Sequence, residues 1–127
     1  MNRKELFEKK PRIKINDKVS YCPTSAAMEL IGGKWKSVIL THLIEDKKRY
    51  NELRKEIPGI TERTLSLQLK QLETDGLVIR KVFTKKPPLK VEYSLTDFGQ
   101  TLTPILTSII EWGLRAAETK GEFLLDE

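Results

Sequence analysis

Arg63, Leu67, Lys70 and Thr74, flanked by Ser66 and Gln71, share one side of a helix if residues 61–76 turn by about 100° per residue. A guanidinium fork suits guanine, an amide suits adenine and an apolar knob suits the thymine methyl, so this set has the groups of a DNA major-groove reader. A helix face that only solubilises its domain usually carries more acids and longer charges. For an isolated amphipathic helix the solvated face is nonetheless the commoner reading, and the segments that follow tip the balance. The second chemical group is Cys22, followed at once by Pro23. Proline favours the first helical position, which puts Cys22 at or near an N-cap. There the first-turn amides and the helix dipole stabilise a thiolate and lower its pKa. A reactive sensor thiol and a small buried structural cysteine both fit such a place.

Other chemistry is thinly represented. One cysteine allows no internal disulfide framework and no cysteine-rich zinc site. His42, the one histidine, falls among core residues of a helix and reads as a core or edge histidine, not a ligand. Glu29, Glu45 and Asp46 show no paired spacing for general acid–base work. Trp35 and Trp112 read as core or interface anchors. The expectation is no enzyme, no metal and no cofactor.

The elements that must position these groups follow from periodicity and breakers. Leu65, Leu69 and Leu72 recur at i, i+4, i+7 behind the polar face, a narrow stripe to be buried. Thr61 is a fair N-cap, and Gly76 suits the left-handed position just past the helix end. Upstream, residues 23–31 predict a helix stopped by Gly32-Gly33. Residues 34–44 predict a second, with Trp35, Val38, Ile39, Leu43 and His42 on or near its buried side. Arg49-Tyr50 reads as a short strand fragment leading into a helix over 50–57 that buries Leu53 and Ile57. Pro58-Gly59 is a tight breaker, so short helix, turn and longer basic helix follow one another as a helix-turn-helix. Residues 77–83 and 90–95 are β-branched and aromatic runs around a Pro-rich loop carrying Lys85 and Lys86, with Lys90 on the return: an antiparallel hairpin, hence a wing. Thr96-Asp97 opens a last helical pattern in which Phe98, Leu102, Ile105, Ile109 and Trp112 keep a 4-3-4-3 rhythm suited to helix pairing. Pro104 should kink that helix or divide it in two.

The fold class expected is mainly α with a small antiparallel β-hairpin. It divides into an arm or short helix over 1–20 that orders against a partner subunit, a winged helix-turn-helix over 21–95, a dimerisation helix over 96–119 and a loose acidic tail over 120–127. In 127 residues, 39% hydrophobic and 32% charged, there is room for one globular domain with a real core. No apolar run approaches a membrane span and the first residues lack a signal-peptide core, so the cytoplasm is the expected compartment. The net charge of +5 is unevenly spread. Residues 1–20 carry seven Lys/Arg against three acids and residues 47–90 twelve against five, while residues 91–127 carry two against seven. Basic surplus on the arm and on the segment holding the polar-faced helix is what a polyanion-binding surface looks like.

In order along the chain, Cys22-Pro23, Leu30-Ile-Gly-Gly-Lys-Trp-Lys36, Arg49-Tyr-Asn-Glu-Leu-Arg54, Ile57-Pro-Gly-Ile60, Leu65 with Gln68-Leu-Lys-Gln-Leu-Glu73, Asp75-Gly-Leu-Val78 and Val91-Glu-Tyr-Ser-Leu-Thr-Asp-Phe-Gly99 resemble the motifs of the HxlR-type winged-helix transcriptional regulators of bacteria. The resemblance spans roughly residues 21–113. It implies a homodimer, joined through terminal helices, that binds double-stranded operator DNA. The loop Lys85-Lys-Pro-Pro-Leu-Lys90 is one residue longer than the family's usual pattern. Some members use a cysteine at the place of Cys22 to sense oxidants or electrophiles. With one cysteine, this chain would switch through an intersubunit disulfide, a small-thiol adduct or direct alkylation.

The functional expectation is a sequence-specific DNA-binding regulator, acting as a repressor on a pseudo-palindromic operator whose half-sites lie about 10 bp or a multiple apart. Arg63, Thr64, Ser66, Leu67 and Lys70, with Thr61 at the helix start, would read bases. Lys85, Lys86 and Lys90 would hold phosphates or the minor groove from the wing. Arg49, Tyr50 and Asn51 would hold a phosphate at the start of the preceding helix. Phe98, Leu102, Ile105, Ile109 and Trp112 would form the dimer interface, and a small molecule or oxidant acting at Cys22 would be the effector. The rival reading is a winged-helix protein-interaction module whose basic face docks an acidic protein.

Overall fold

The computed structural model describes residues 1–126. The chain opens with α1 (Arg3–Glu8), capped by Asn2, whose Oδ1 accepts the Glu5 amide at 2.8 Å. Two short strands follow, β1 (Ile13–Ile15) and β2 (Lys18–Ser20), paired antiparallel. Asn16 and Asp17 between them both have positive φ, 50° and 64°, as a two-residue hairpin turn needs to match the strand twist. Then come α2 (Pro23–Ile31), α3 (Lys36–Glu45), β3 (Lys48–Arg49), α4 (Tyr50–Glu56) and α5 (Glu62–Thr74). The chain ends with β4 (Val78–Val82), β5 (Val91–Leu95), α6 (Asp97–Gln100) and α7 (Thr103–Lys120). The second sheet has the order β3-β5-β4, with β5 in the middle and every neighbour antiparallel.

One core holds the parts of this fold together. Ile39, Leu40 and Leu43 from α3 meet Leu53 and Ile57 from α4 and its end, and Leu65, Leu69 and Leu72 from α5. Leu77, Val78, Tyr93 and Leu95 bring in the sheet, and Leu106 anchors α7. The α5 stripe is buried as its spacing requires, so the opposite face of that helix must look outward. Both ends of α5 are fixed. The Thr61 hydroxyl accepts the Thr64 amide at 3.1 Å, and Gly76 takes φ +76°, strained for any residue with a Cβ. A third tie comes from the sheet: Thr96 Oγ1 donates to the Gly76 carbonyl at 2.6 Å and accepts the Gly99 amide at 2.9 Å. A Cβ at Gly99 would collide with the Leu77 carbonyl oxygen, so glycine there allows α6 to sit against the start of β4.

Several details depart from the expectation. Residues 13–20 form a hairpin packed on α2, and its turn reaches α5, where Asn16 Nδ2 donates to Asp75 Oδ1 at 3.0 Å. The hairpin makes these contacts within its own subunit. In α3 the buried set is Ile39, Leu40 and Leu43, while Val38 is exposed, because at about 100° per residue Val38 falls nearly opposite the centre of the face those three share. The last helical stretch is divided, with α6 ending at Gln100 and Pro104 lying in the first turn of α7, where a missing amide hydrogen is harmless. The break also breaks the 4-3-4-3 rhythm. Leu102 packs partly against its own core, whereas Phe98, Ile105, Ile109 and Trp112 are exposed. No helix among the described residues is long and apolar enough to cross a membrane.

Candidate nucleic-acid interface

The outer face of α5 is built from the residues left over once the leucine stripe is buried. Arg63, Ser66, Leu67, Lys70, Gln71 and Thr74 are exposed, and Leu67 keeps 52% of its surface in solvent. A lone exposed leucine amid hydroxyls, an amide and two cations is not what solvation alone selects. None of Arg63, Lys70, Lys85 and Lys86 has an acid within ion-pair distance among the described residues, whereas Arg54 is held by Glu62 at 2.6 Å. Arg63, Lys70, Lys85 and Lys86 are thus available to an anion, as are most other cations on the surface, while the turn before α5 is spanned by the Arg54–Glu62 ion pair. Thr64 is half-buried and serves the cap, since its hydroxyl accepts from Thr61 Oγ1 at 3.0 Å.

The residues at the start of α4 divide. The Tyr50 hydroxyl lies 3.0 Å from the Glu62 carbonyl and 3.0 Å from Ser66 Oγ, so it braces α4 against the first turns of α5. Tyr50 and Ser66 are thus already engaged with each other. The expected anion site at the helix dipole is also partly filled: the Glu52 carboxylate accepts the Arg49 amide at 2.9 Å. A negative charge in the first turn is favourable for the helix and repels a phosphate from those amides. What remains for a phosphate there is the exposed side chains of Arg49 and Asn51.

The wing is closed by its own hydrogen bonds. Thr84 Oγ1 accepts the Lys90 amide at 3.1 Å and donates to the Pro88 carbonyl at 3.2 Å, and the Phe83 amide donates to the Lys90 carbonyl at 2.8 Å. Lys85 and Lys86 stand exposed at the tip. Lys90 does not join them. Its ammonium lies 4.9 Å from the Phe83 ring centre, with Lys81 at the same distance. Cation–π attraction thus keeps Lys90 at the base of the wing.

Two grooves border α5, and they contain residues that spacing along the sequence did not single out. Between α5 and the sheet, Ser66, Lys70 and Thr74 face Arg80 and Tyr93. On the other side Leu67, Lys70 and Gln71 face Lys36 at the start of α3 and Lys18 of β2. The only sequence signal for Arg80 was an arginine in phase with buried Val78 on a strand. For Lys36 there was none, because its proximity to α5 is a product of tertiary packing.

Cys22 is the N-cap of α2 and is exposed, which removes the buried structural alternative. Its Sγ lies 3.2 Å from Ser25 Oγ and accepts the Ser25 amide at 3.4 Å. The Ser25 hydroxyl first, and then the backbone amides, hold the thiol below its ordinary pKa. His42, Glu45 and Glu56 lie near one another, but the Lys48 ammonium sits among the acids, 2.9 Å from Glu56 and 3.7 Å from Glu45. The charge a metal would supply is already there, and the hydrogen bond to Glu56 raises the Lys48 pKa. That cluster ties α3 to β3 and α4.

Comparison with known proteins identifies the family of this fold. The family model for HxlR-like helix-turn-helix proteins matches residues 30–120. The HTH-type transcriptional regulator YdeP of Bacillus subtilis is 51% identical over 98 residues, 77% of this chain and 76% of that protein. Among solved structures, the redox regulator HypR in its oxidised form is 47% identical with a TM-score of 0.70, covering 80% of this chain and all of that one. The reduced form of the transcriptional regulator YodB from B. subtilis is 32% identical with a TM-score of 0.63, covering 78% of this chain and 94% of that one. A winged helix-turn-helix with this likeness over most of its length places the chain in the HxlR-like helix-turn-helix family of transcriptional regulators.

Proposed function

We propose that the protein is a DNA-binding repressor that acts as a homodimer on a pseudo-palindromic operator in the bacterial cytoplasm. The observation that carries this reading is the outward face of α5, which presents unpaired Arg63 and Lys70 around the exposed Leu67, with the wing lysines 85 and 86 beyond. Arg63, Leu67, Lys70 and Ser66 contact base edges. Thr61 and Thr64 fix the first turn that enters the groove, and Tyr50 holds that turn from α4. Lys85 and Lys86 take backbone phosphates, as do Arg49 and Asn51, while Lys90 supports the wing. Phosphate contacts give affinity and salt dependence, and the few base contacts set the sequence.

Dimerisation is assigned to the exposed apolar residues Phe98, Ile105, Ile109 and Trp112, with the partly buried Leu102 beside them against the core. A patch of that kind on an isolated subunit calls for a partner. Cys22 is assigned as the effector site. Its exposure and lowered pKa support this, and so does the likeness to a protein named a redox regulator. An oxidant would join two Cys22 thiols across a dimer with loss of two electrons and two protons, or an electrophile would alkylate one thiolate. No catalysis, cofactor or metal is assigned.

A mobility shift with fragments of the promoter beside its own coding sequence, run across a salt series, tests DNA binding. Retention of one fragment over random duplex, weakening steeply with salt, is the expected result. Binding to no duplex would refute the reading and leave the protein-docking alternative. A Cys22→Ser protein that still releases DNA on diamide treatment would remove the effector assignment.

A further inference from the structure

We propose that Lys36 and Arg80 are phosphate-binding cations that grip the two backbones bordering one major groove, from opposite sides of α5. This rests on the DNA-binding reading above and extends it to residues outside the helix-turn-helix face and the wing tip. Between the two grooves α5 forms a ridge, and Lys70 borders both of them. An α-helix with its side chains is about 10–12 Å across, and the B-DNA major groove is about 12 Å wide. A helix seated there has one sugar–phosphate backbone on each flank, so a cation in each groove meets a different strand.

Arg80 occupies the sheet side, beside Tyr93, and is exposed. Lys36 occupies the other side and is half-buried. Neither has an acid within ion-pair distance among the described residues. The acids in the second groove are already engaged: Glu29 holds Lys18 at 3.2 Å, and Asp75 accepts the Asn16 amide group. Glu73 also lines the sheet-side groove and is exposed, so its negative charge opposes a phosphate there and Arg80 with Lys70 must outweigh it. Lys36 also lies in the first turn of α3, the end of a helix where a cation is least favourable, so helix stability does not explain it. Lys18, neutralised by Glu29, is left out of the assignment.

The test is fluorescence anisotropy with a labelled random-sequence duplex and a promoter duplex of equal length, across a salt series. The proteins are the full chain, Lys36→Gln, Arg80→Gln, the double variant, and Lys120→Gln at the far end of α7 as a control. Each single substitution is expected to weaken both duplexes alike and to lower the slope of log K against log salt by about 0.9. The double variant should lower it by about twice that, and the control should leave it unchanged. Lys36→Arg and Arg80→Lys keep the charge and should keep the slope, which separates a lost contact from a damaged fold. An unchanged slope in Lys36→Gln or Arg80→Gln, with wild-type binding intact, overturns this proposal alone. Failure of the wild-type chain to bind either duplex overturns the DNA-binding reading and this proposal with it.

Discussion

The outer face of α5 and the outer face of α7 are both solvent-exposed helix surfaces on the same small fold, and they are chemically opposite. On α5 the exposed side presents Arg63, Ser66, Lys70, Gln71 and Thr74 with one leucine among them. On α7 it presents Ile105, Ile109, Ile110, Trp112 and Leu114, and Trp112 leaves 70% of its surface in water. Each helix sends only part of itself into the core, the leucine stripe in one and Leu106 in the other. Water tolerates the first surface and disfavours the second. Under the proposed function the contrast fits different partners: a hydrated polyanion for α5, whose contacts exchange counterions and waters, and an apolar protein surface for α7.

The contrast can be broken or sharpened by substitution. The largest effect lies in the inward half of α5. Leu69→Ala is expected to cost about 2–5 kcal/mol of stability by opening a cavity, whereas Leu67→Ala on the outside should stay within about 0.5 kcal/mol. Urea denaturation of the two variants measures the difference, and equal losses would mean that the two sides of α5 are not distinct. Next comes α7. Ile109→Glu puts a charge into the proposed apolar contact and should cost association on the order of 2–4 kcal/mol, read by sedimentation as dimer converting to monomer. A variant that sediments as wild type would move the dimer contact elsewhere.

Smaller effects return to the basic face. Arg63→Ala should cost about 1–3 kcal/mol of discrimination between the preferred and altered operators. Lys86→Ala should weaken every sequence alike and lower the salt slope by about 1. Equal losses on specific and random duplexes for Arg63→Ala would deny it a base-reading role. The smallest concerns Cys22. Its pKa is held below the ordinary thiol value chiefly by the Ser25 hydroxyl, so iodoacetamide should react with the folded protein at lower pH than with free cysteine. Ser25→Ala should move that titration upward, slowing alkylation near neutrality. An unmoved profile would place the cause in the backbone amides instead.

Much of this was legible from local signals. Thr61 and Gly76 marked the ends of α5, Pro23 placed Cys22 at a cap, and two β-branched runs around Pro87-Pro88 marked the wing. These are short-range effects, in which a side chain acts on backbone groups a few residues away. The hairpin over 13–20 was missed because its strands are only three residues each and its turn is Asn-Asp, weaker than an Asn-Gly signal. The 98–112 rhythm runs across the break before Pro104, and at that break Leu102 packs partly against its own core.

By itself the sequence determined which residues of α5 face inward and outward, where the helices begin and end, and that cationic charge gathers in residues 1–20 and 47–90. Periodicity and capping act within a few residues, so one strand of text contains them. Only the tertiary structure decided that Tyr50 braces Ser66, that Lys90 is drawn onto Phe83, that Asn16 ties the first hairpin to the end of α5, and that Lys36 and Arg80 border the same helix. Those neighbours are set by how the leucines of α3, α4 and α5 close on the sheet, and a packing angle among distant residues leaves no mark in the local pattern.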